Sequence, residues 1–150
     1  MRSVKYLGAV AAMACLTWAT SVAVVQAAPM SLTVQLSGSK EVPPVTTSGT
    51  GTAKLTYNSS SRVLNWSVTY SGLASNATMA HFHGPAPAGK SAGVQVWISK
   101  KGGSIKSPMK GHAKLTAAQA KQFMAGDWYV NVHTKKHPSG AIRGQVTPSK

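Results

Sequence analysis

Alternation of apolar and polar residues with a period of two dominates this chain, and it restricts the fold to β-sheet. Leu32, Val34 and Leu36 alternate with Thr33, Gln35 and Ser37. Leu64, Trp66, Val68 and Tyr70 alternate with Asn65, Ser67 and Thr69. Ala53, Leu55 and Tyr57 run into the turn cluster Asn58-Ser59-Ser60-Ser61, so these two stretches should pair as a hairpin. Further strands are expected over Ala77 to His83, through Val94, Val96 and Ile98, at Ala113 and Leu115, at Val130 and Val132, and from Ile142 to Val146. One segment breaks the rhythm. Thr116 and Gln119 have capping-box spacing, the residues after them are good helix formers, and Gly126 is a stop. The pattern predicts an all-β antiparallel sandwich, or partly closed barrel, of about eight strands with one short helix near 117–125. Residues 84–93 read as a long flexible loop and 100–108 as a second.

What such a sheet can do is narrowed by its charges. Lys and Arg number 16 against two acids, Glu41 and Asp127, for a net charge of +14. A paired-carboxylate glycosidase and carboxylate-built Ca²⁺ or Mg²⁺ sites are excluded. The single cysteine, Cys15, lies in an N-terminal apolar stretch, which removes disulfides, thiolate metal sites and thiol catalysis from the rest of the chain. The positive charge favours a small anion, acidic polysaccharide, a membrane surface or a protein as partner. Nucleic acid is disfavoured, because the lysines are scattered and not interleaved with stacking aromatics.

Arg2 and Lys5 precede an apolar run from Leu7 to Val25, followed by Val25-Gln26-Ala27. That order is the order of a secretory signal. Residues 1–27 are expected to be removed after Ala27, leaving 28–150 as one secreted or periplasmic domain. A retained anchor helix is the rival reading.

Five histidines remain as candidate metal ligands. In a strand, residues i and i+2 share a face, about 6.5–7 Å apart at Cα. His81 and His83 therefore aim the same way, with Phe82 turned to the core. Val130 and Val132 claim the core face of a later strand, which puts His133 on the opposite one. The same parity turns His112 and Arg143 outward, and Met79 shares the face of His81 and His83. Each assignment depends on register. His81, His83 and His133 are the expected metal ligands, with Met79, His112 and Arg143 as auxiliary residues. Against this stands the plain reading of surface histidines and a packing methionine. His137, before Pro138, reads as a turn residue. No catalytic residue is expected, and Asp127 is the only acid available to orient a histidine.

Several spaced motifs together carry a family likeness. Leu36-Ser-Gly-Ser-Lys-Glu41-Val-Pro-Pro44, Tyr70-Ser-Gly-Leu73, Ala80-His-Phe-His-Gly-Pro-Ala86, Leu115-Thr-Ala-Ala-Gln119, Tyr129-Val-Asn-Val-His-Thr134 and Pro138-Ser-Gly-Ala-Ile-Arg-Gly-Gln145 resemble the chordin-type (CHRD) domain, from about Leu32 to Val146. Ala141 departs from it, standing where an acidic residue is usual. The resemblance implies an immunoglobulin-like sandwich in an exported single-domain protein. More loosely, the two histidines of β-strand spacing plus a later one resemble the copper side of copper/zinc superoxide dismutase. Without a cysteine pair or a zinc loop, the zinc subsite is not expected.

Three functions follow as expectations. The first is a binding protein holding a divalent metal through an outward-facing His cluster, copper favoured and zinc the alternative. The second is a metal-free adhesion or interaction module using its Lys-rich surface. The third, least favoured, is an enzyme of superoxide dismutase type.

Overall fold

The computed structural model describes residues 28–99 and 105–149. The expected signal segment 1–27, Cys15 and residues 100–104 of the 100–108 loop lie outside the described residues. Eight strands and one α-helix follow in order: β1 (Met30–Ser37), β2 (Thr50–Asn58), β3 (Val63–Ser71), β4 (Ala77–His83), β5 (Val94–Trp97), β6 (Met109–Lys114), α1 (Ala117–Met124), β7 (Tyr129–Thr134) and β8 (Ile142–Gln145). All pairings are antiparallel.

The strands form one sheet in the order β5-β4-β7-β8-β1-β2-β3-β6. That sheet folds back on itself at β8 and β1, which share only the Ser37–Arg143 position. Its halves become the two leaves of a nearly barrel-like sandwich. Trp66 of β3 and Phe82 of β4 meet edge to face across the gap, with ring centroids 5.4 Å apart. Alternation supplies the filling: Val34, Leu36, Ala53, Leu55, Leu64 and Val68 from one leaf face Ala80, Phe82, Val130, Val132 and Ile142 from the other.

The β2–β3 hairpin turns at Asn58–Arg62, where the Asn58 side chain accepts a hydrogen bond from the Ser61 N–H. Helix α1 begins with the capping box its sequence announces. Thr116 Oγ1 accepts from the Gln119 N–H, and Gln119 Oε1 accepts from the Thr116 N–H. It ends at Gly126, whose φ of +80° suits glycine. Phe123 and Ala120 close one end of the core against Tyr57 and Trp128.

One expectation is corrected. Residues 84–93 form a long loop, but it is tied down. Gly84 N–H donates to Gly93 O, Ala86 N–H to Asp127 O, and Gln145 Nε2 to Ala86 O. Arg143 reaches Lys90 O at 2.7 Å, and Ala92 exchanges hydrogen bonds with the Tyr129 hydroxyl. The Pro- and Gly-rich sequence reads as slack, but its backbone groups find partners on β7 and β8.

Candidate metal centre

The outer face of β4, β7 and β8 is laid out in rows by the strand register. His83, Tyr129 and Gln145 stand side by side in one row. Trp97, His81, Asn131, Arg143 and Ser37 form the next. Met79 and His133 face each other in a third. Strand parity therefore aims His81, His83 and His133 to one side, as their sequence positions predict, while Phe82, Val130 and Val132 fill the core behind them.

The expectation of an outward-facing cluster holds for direction and fails for exposure. His81, His83 and His133 are only 3%, 9% and 6% exposed. The 84–93 loop, the turn around Pro138 and the Trp97 ring cover them. All three rings bring a ligand nitrogen to within 4.8 Å of the others. Two imidazole nitrogens bound to one ion at about 2.0–2.1 Å each can stand no more than ~4.2 Å apart. The widest separation exceeds that limit by about 0.6 Å, so the rings must turn inward for all three to bind one ion.

Hydrogen bonds set the tautomers. His83 Nδ1 lies 3.0 Å from Ala92 O, and His133 Nδ1 lies 2.8 Å from Pro138 O. A carbonyl can only accept, so both Nδ1 atoms carry the hydrogen and both Nε2 atoms present a lone pair. His81 Nδ1 sits 3.1 Å from the bare His133 Nε2 and is the donor there. This leaves Nε2 of His81 and Nε2 of His83 buried with no hydrogen-bond partner. Orphaned buried acceptors are costly, and a cation resolves them. Backbone carbonyls holding the far nitrogens are the usual support for metal-ligating histidines. They do the orienting for which Asp127 was the only acid available; its backbone carbonyl accepts from the Ala86 N–H of the 84–93 loop.

Burial keeps the rings neutral. It lowers His81 to about 4, with the charges of His133 and His83 adding to the effect. It lowers His83, against the hydrogen bond to Ala92. It lowers His133, against the hydrogen bond to Pro138. Neutral imidazole is the form that binds a metal.

The auxiliary residues separate. Met79 is half-buried and directly opposite His133. Arg143 is buried, 2% exposed, with its guanidinium carbon 3.4 Å from the Tyr129 ring centre. Tyr129 in turn stacks on His83 at 4.9 Å. His112 belongs elsewhere: it is exposed on β6, opposite Asn65 on the other leaf. His137 lies in the turn before Pro138, as expected.

Sequence reasoning missed four residues around the trio. Trp97 packs on His81 at 4.1 Å while 42% exposed. Tyr129 anchors the loop. Asn131 lies beside His81 and donates to the Glu41 carboxylate at 3.2 Å. Glu41 is 6% exposed, and burial raises its pKa to about 7, against the Asn131 hydrogen bond and the Arg143 charge. Tyr129 and Asn131 share His133's parity, a signal that was present. Trp97 was visible as a large aromatic at a solvent-facing position. Glu41 had no local signal beyond being one of two acids.

A family model for the CHRD domain matches residues 32–146. The chain belongs to the CHRD family. The match contains all three histidines, the capping box and the Glu41 segment. No curated protein and no solved structure gives a significant match. Membership in the CHRD family supports a binding role, and the trio gives this CHRD domain a place that could hold a metal ion.

Proposed function

We propose that this CHRD domain is an exported metal-binding protein whose ion is copper, held by Nε2 of His83, by a nitrogen of His81, and by Nε2 of His133 once the ion displaces the hydrogen bond it accepts from His81. The observation that carries the reading is the pair of buried, partnerless Nε2 atoms on His81 and His83. An all-imidazole donor set suits Cu(II), Zn(II) and Ni(II), and intrinsic affinity among these peaks at copper. Met79 beside His133 adds a thioether on the same face, which favours copper further. Three neutral ligands leave the ion's charge uncompensated, so an anion would complete its coordination. The charged, apolar, small-residue order of residues 1–27 supports export, with cleavage after Ala27.

The test is a Cu(II) titration followed by electron paramagnetic resonance. Wild type should show a nitrogen-rich spectrum at one equivalent. His81→Ala, His83→Ala and His133→Ala should lose it, and His112→Ala and His137→Ala should keep it. If all five match wild type, the copper sits on stray surface groups, and the Lys-rich interaction module becomes the better reading. Superoxide turnover above that of free copper, absent in His83→Ala, would make the domain an enzyme of dismutase type.

A further inference from the structure

Beside the trio, on the same outer face, a cavity opens between residues 39–44 and the 84–93 loop. It measures about 610 Å³ and is floored by Arg143 and Gln145 of β8. That volume lies in the usual range for small-molecule sites. Glu41, Val42 and Pro44 form one wall, and Ala88 and Gly89 form the other.

The polar groups lining it are held in place and under-used. The Arg143 guanidinium is fixed by the Tyr129 ring beneath it and by one hydrogen bond to Lys90 O. A guanidinium carries five N–H donors. Glu41 lines the same cavity, but its hydrogen-bond partner is Asn131, and Arg143 acts on it through charge alone. Gln145 Nε2 is fully engaged, donating to Ala86 O and Gly126 O. Its Oε1 is buried and has no partner.

A fixed cationic donor and an acid thus line one space, beside Lys40, whose Nζ donates to Gln35 O, with the apolar walls of Val42, Pro44 and Ala88 above them. A simple anion would answer Arg143 and leave Glu41 unanswered. A simple cation would do the reverse. A molecule carrying both charged groups on one carbon answers both.

We propose that this cavity binds a small zwitterion of the α-amino-acid class. Its carboxylate lies on Arg143, its ammonium on Glu41, and a short aliphatic side chain rests against Val42, Pro44 and Ala88. The site does not depend on the metal reading, so its test uses chelator-stripped protein.

Calorimetry would compare L-leucine with 4-methylpentanoate, which lacks the amine, and with isopentylamine, which lacks the carboxylate. Leucine should bind about tenfold or more tighter than either. Arg143→Gln should weaken leucine and 4-methylpentanoate by about tenfold and leave isopentylamine unchanged. Glu41→Gln should weaken leucine and isopentylamine and spare 4-methylpentanoate. Because either variant could fold poorly, amide chemical-shift mapping on wild type gives a second reading. Leucine should move Val42, Gly89 and Gln145. Leucine binding no tighter than 4-methylpentanoate, shifts confined to other residues, or unchanged leucine affinity in folded Arg143→Gln would each overturn the proposal.

Discussion

The two leaves of the sandwich obey the same alternation and end with opposite outer faces. On β1, β2, β3 and β6 the residues turned from the core meet solvent: Thr33, Gln35, Lys54, Asn65 and His112 are exposed. On β4, β7 and β8 the equivalent positions include His81, His83, Tyr129, Asn131, His133 and Arg143, all buried, with Met79 and Gln145 half-buried. The strands of the second leaf are no more hydrophobic on that side. What differs is the cover. The 84–93 loop, the Pro138 turn and the Glu41 segment close over one leaf, while among the described residues the other lies open. His112 and His133 make the contrast plain, since each opposes the core on its own strand and only one has polar neighbours locked around it. A parity argument finds which way a side chain points. Chemistry begins where something folds back over it.

The sharpest test of that contrast sits on β4, where one strand serves core and site. Phe82→Ala should cost about 3–5 kcal/mol in thermal or denaturant melts, because it empties the centre shared by both leaves. A loss below about 1 kcal/mol would mean the leaves are not packed through Phe82.

The next effect belongs to the covered leaf alone. Gly140 has φ +139°, and a Cβ there would run into Asn131 and Glu41. Gly140→Ala should cost about 1–3 kcal/mol. It should also weaken copper binding, since the turn it belongs to holds His133 through Pro138 O. Stability lost with copper affinity kept would show that the cover and the trio are independent.

Acidity should separate the leaves further. His81 is lowered from 6.5 to about 4. The folded state therefore holds fewer protons than the unfolded chain in that window, and metal-free protein should lose stability as pH falls from 6.5 toward 4. Glu41 is raised from 4.5 to about 7, so its contribution is present at low pH and is lost as pH rises from 4.5 through 7. In melts of chelator-treated protein, His81→Gln should gain on wild type as pH falls, and Glu41→Gln should gain as pH rises. Flat differences would mean both groups are hydrated in the folded protein. The smallest effect is on the open leaf, where His112→Ala should change stability by no more than about 0.5 kcal/mol.

The same contrast explains what could be read from the sequence. Alternation is local, so the strands, the hairpin at Asn58, the capped helix and the common direction of His81, His83 and His133 were legible. Burial of that trio was not, because its covers come from far along the chain. Glu41 reaches Asn131 across 90 positions, and Arg143 reaches Lys90 across 53. The Gly- and Pro-rich 84–93 loop reads as slack for the same reason: its partners are backbone and side-chain groups that only the fold brings near. His112 was misplaced beside the trio because parity cannot tell one leaf from the other.

The register between β4 and β7 has a consequence for how the chain reaches its native state. Sliding β7 by one residue against β4 would exchange His133 for Val132 or Thr134 and turn the histidine toward the core. Every such misaligned isomer keeps three imidazoles in its sequence and has no place where all three converge. An ion that needs the full set therefore binds the correct isomer and ignores the others, drawing the population toward it in proportion to ligand concentration. In the proposed reading, metal supply acts as a proofreader of strand alignment as well as the cargo of the finished domain.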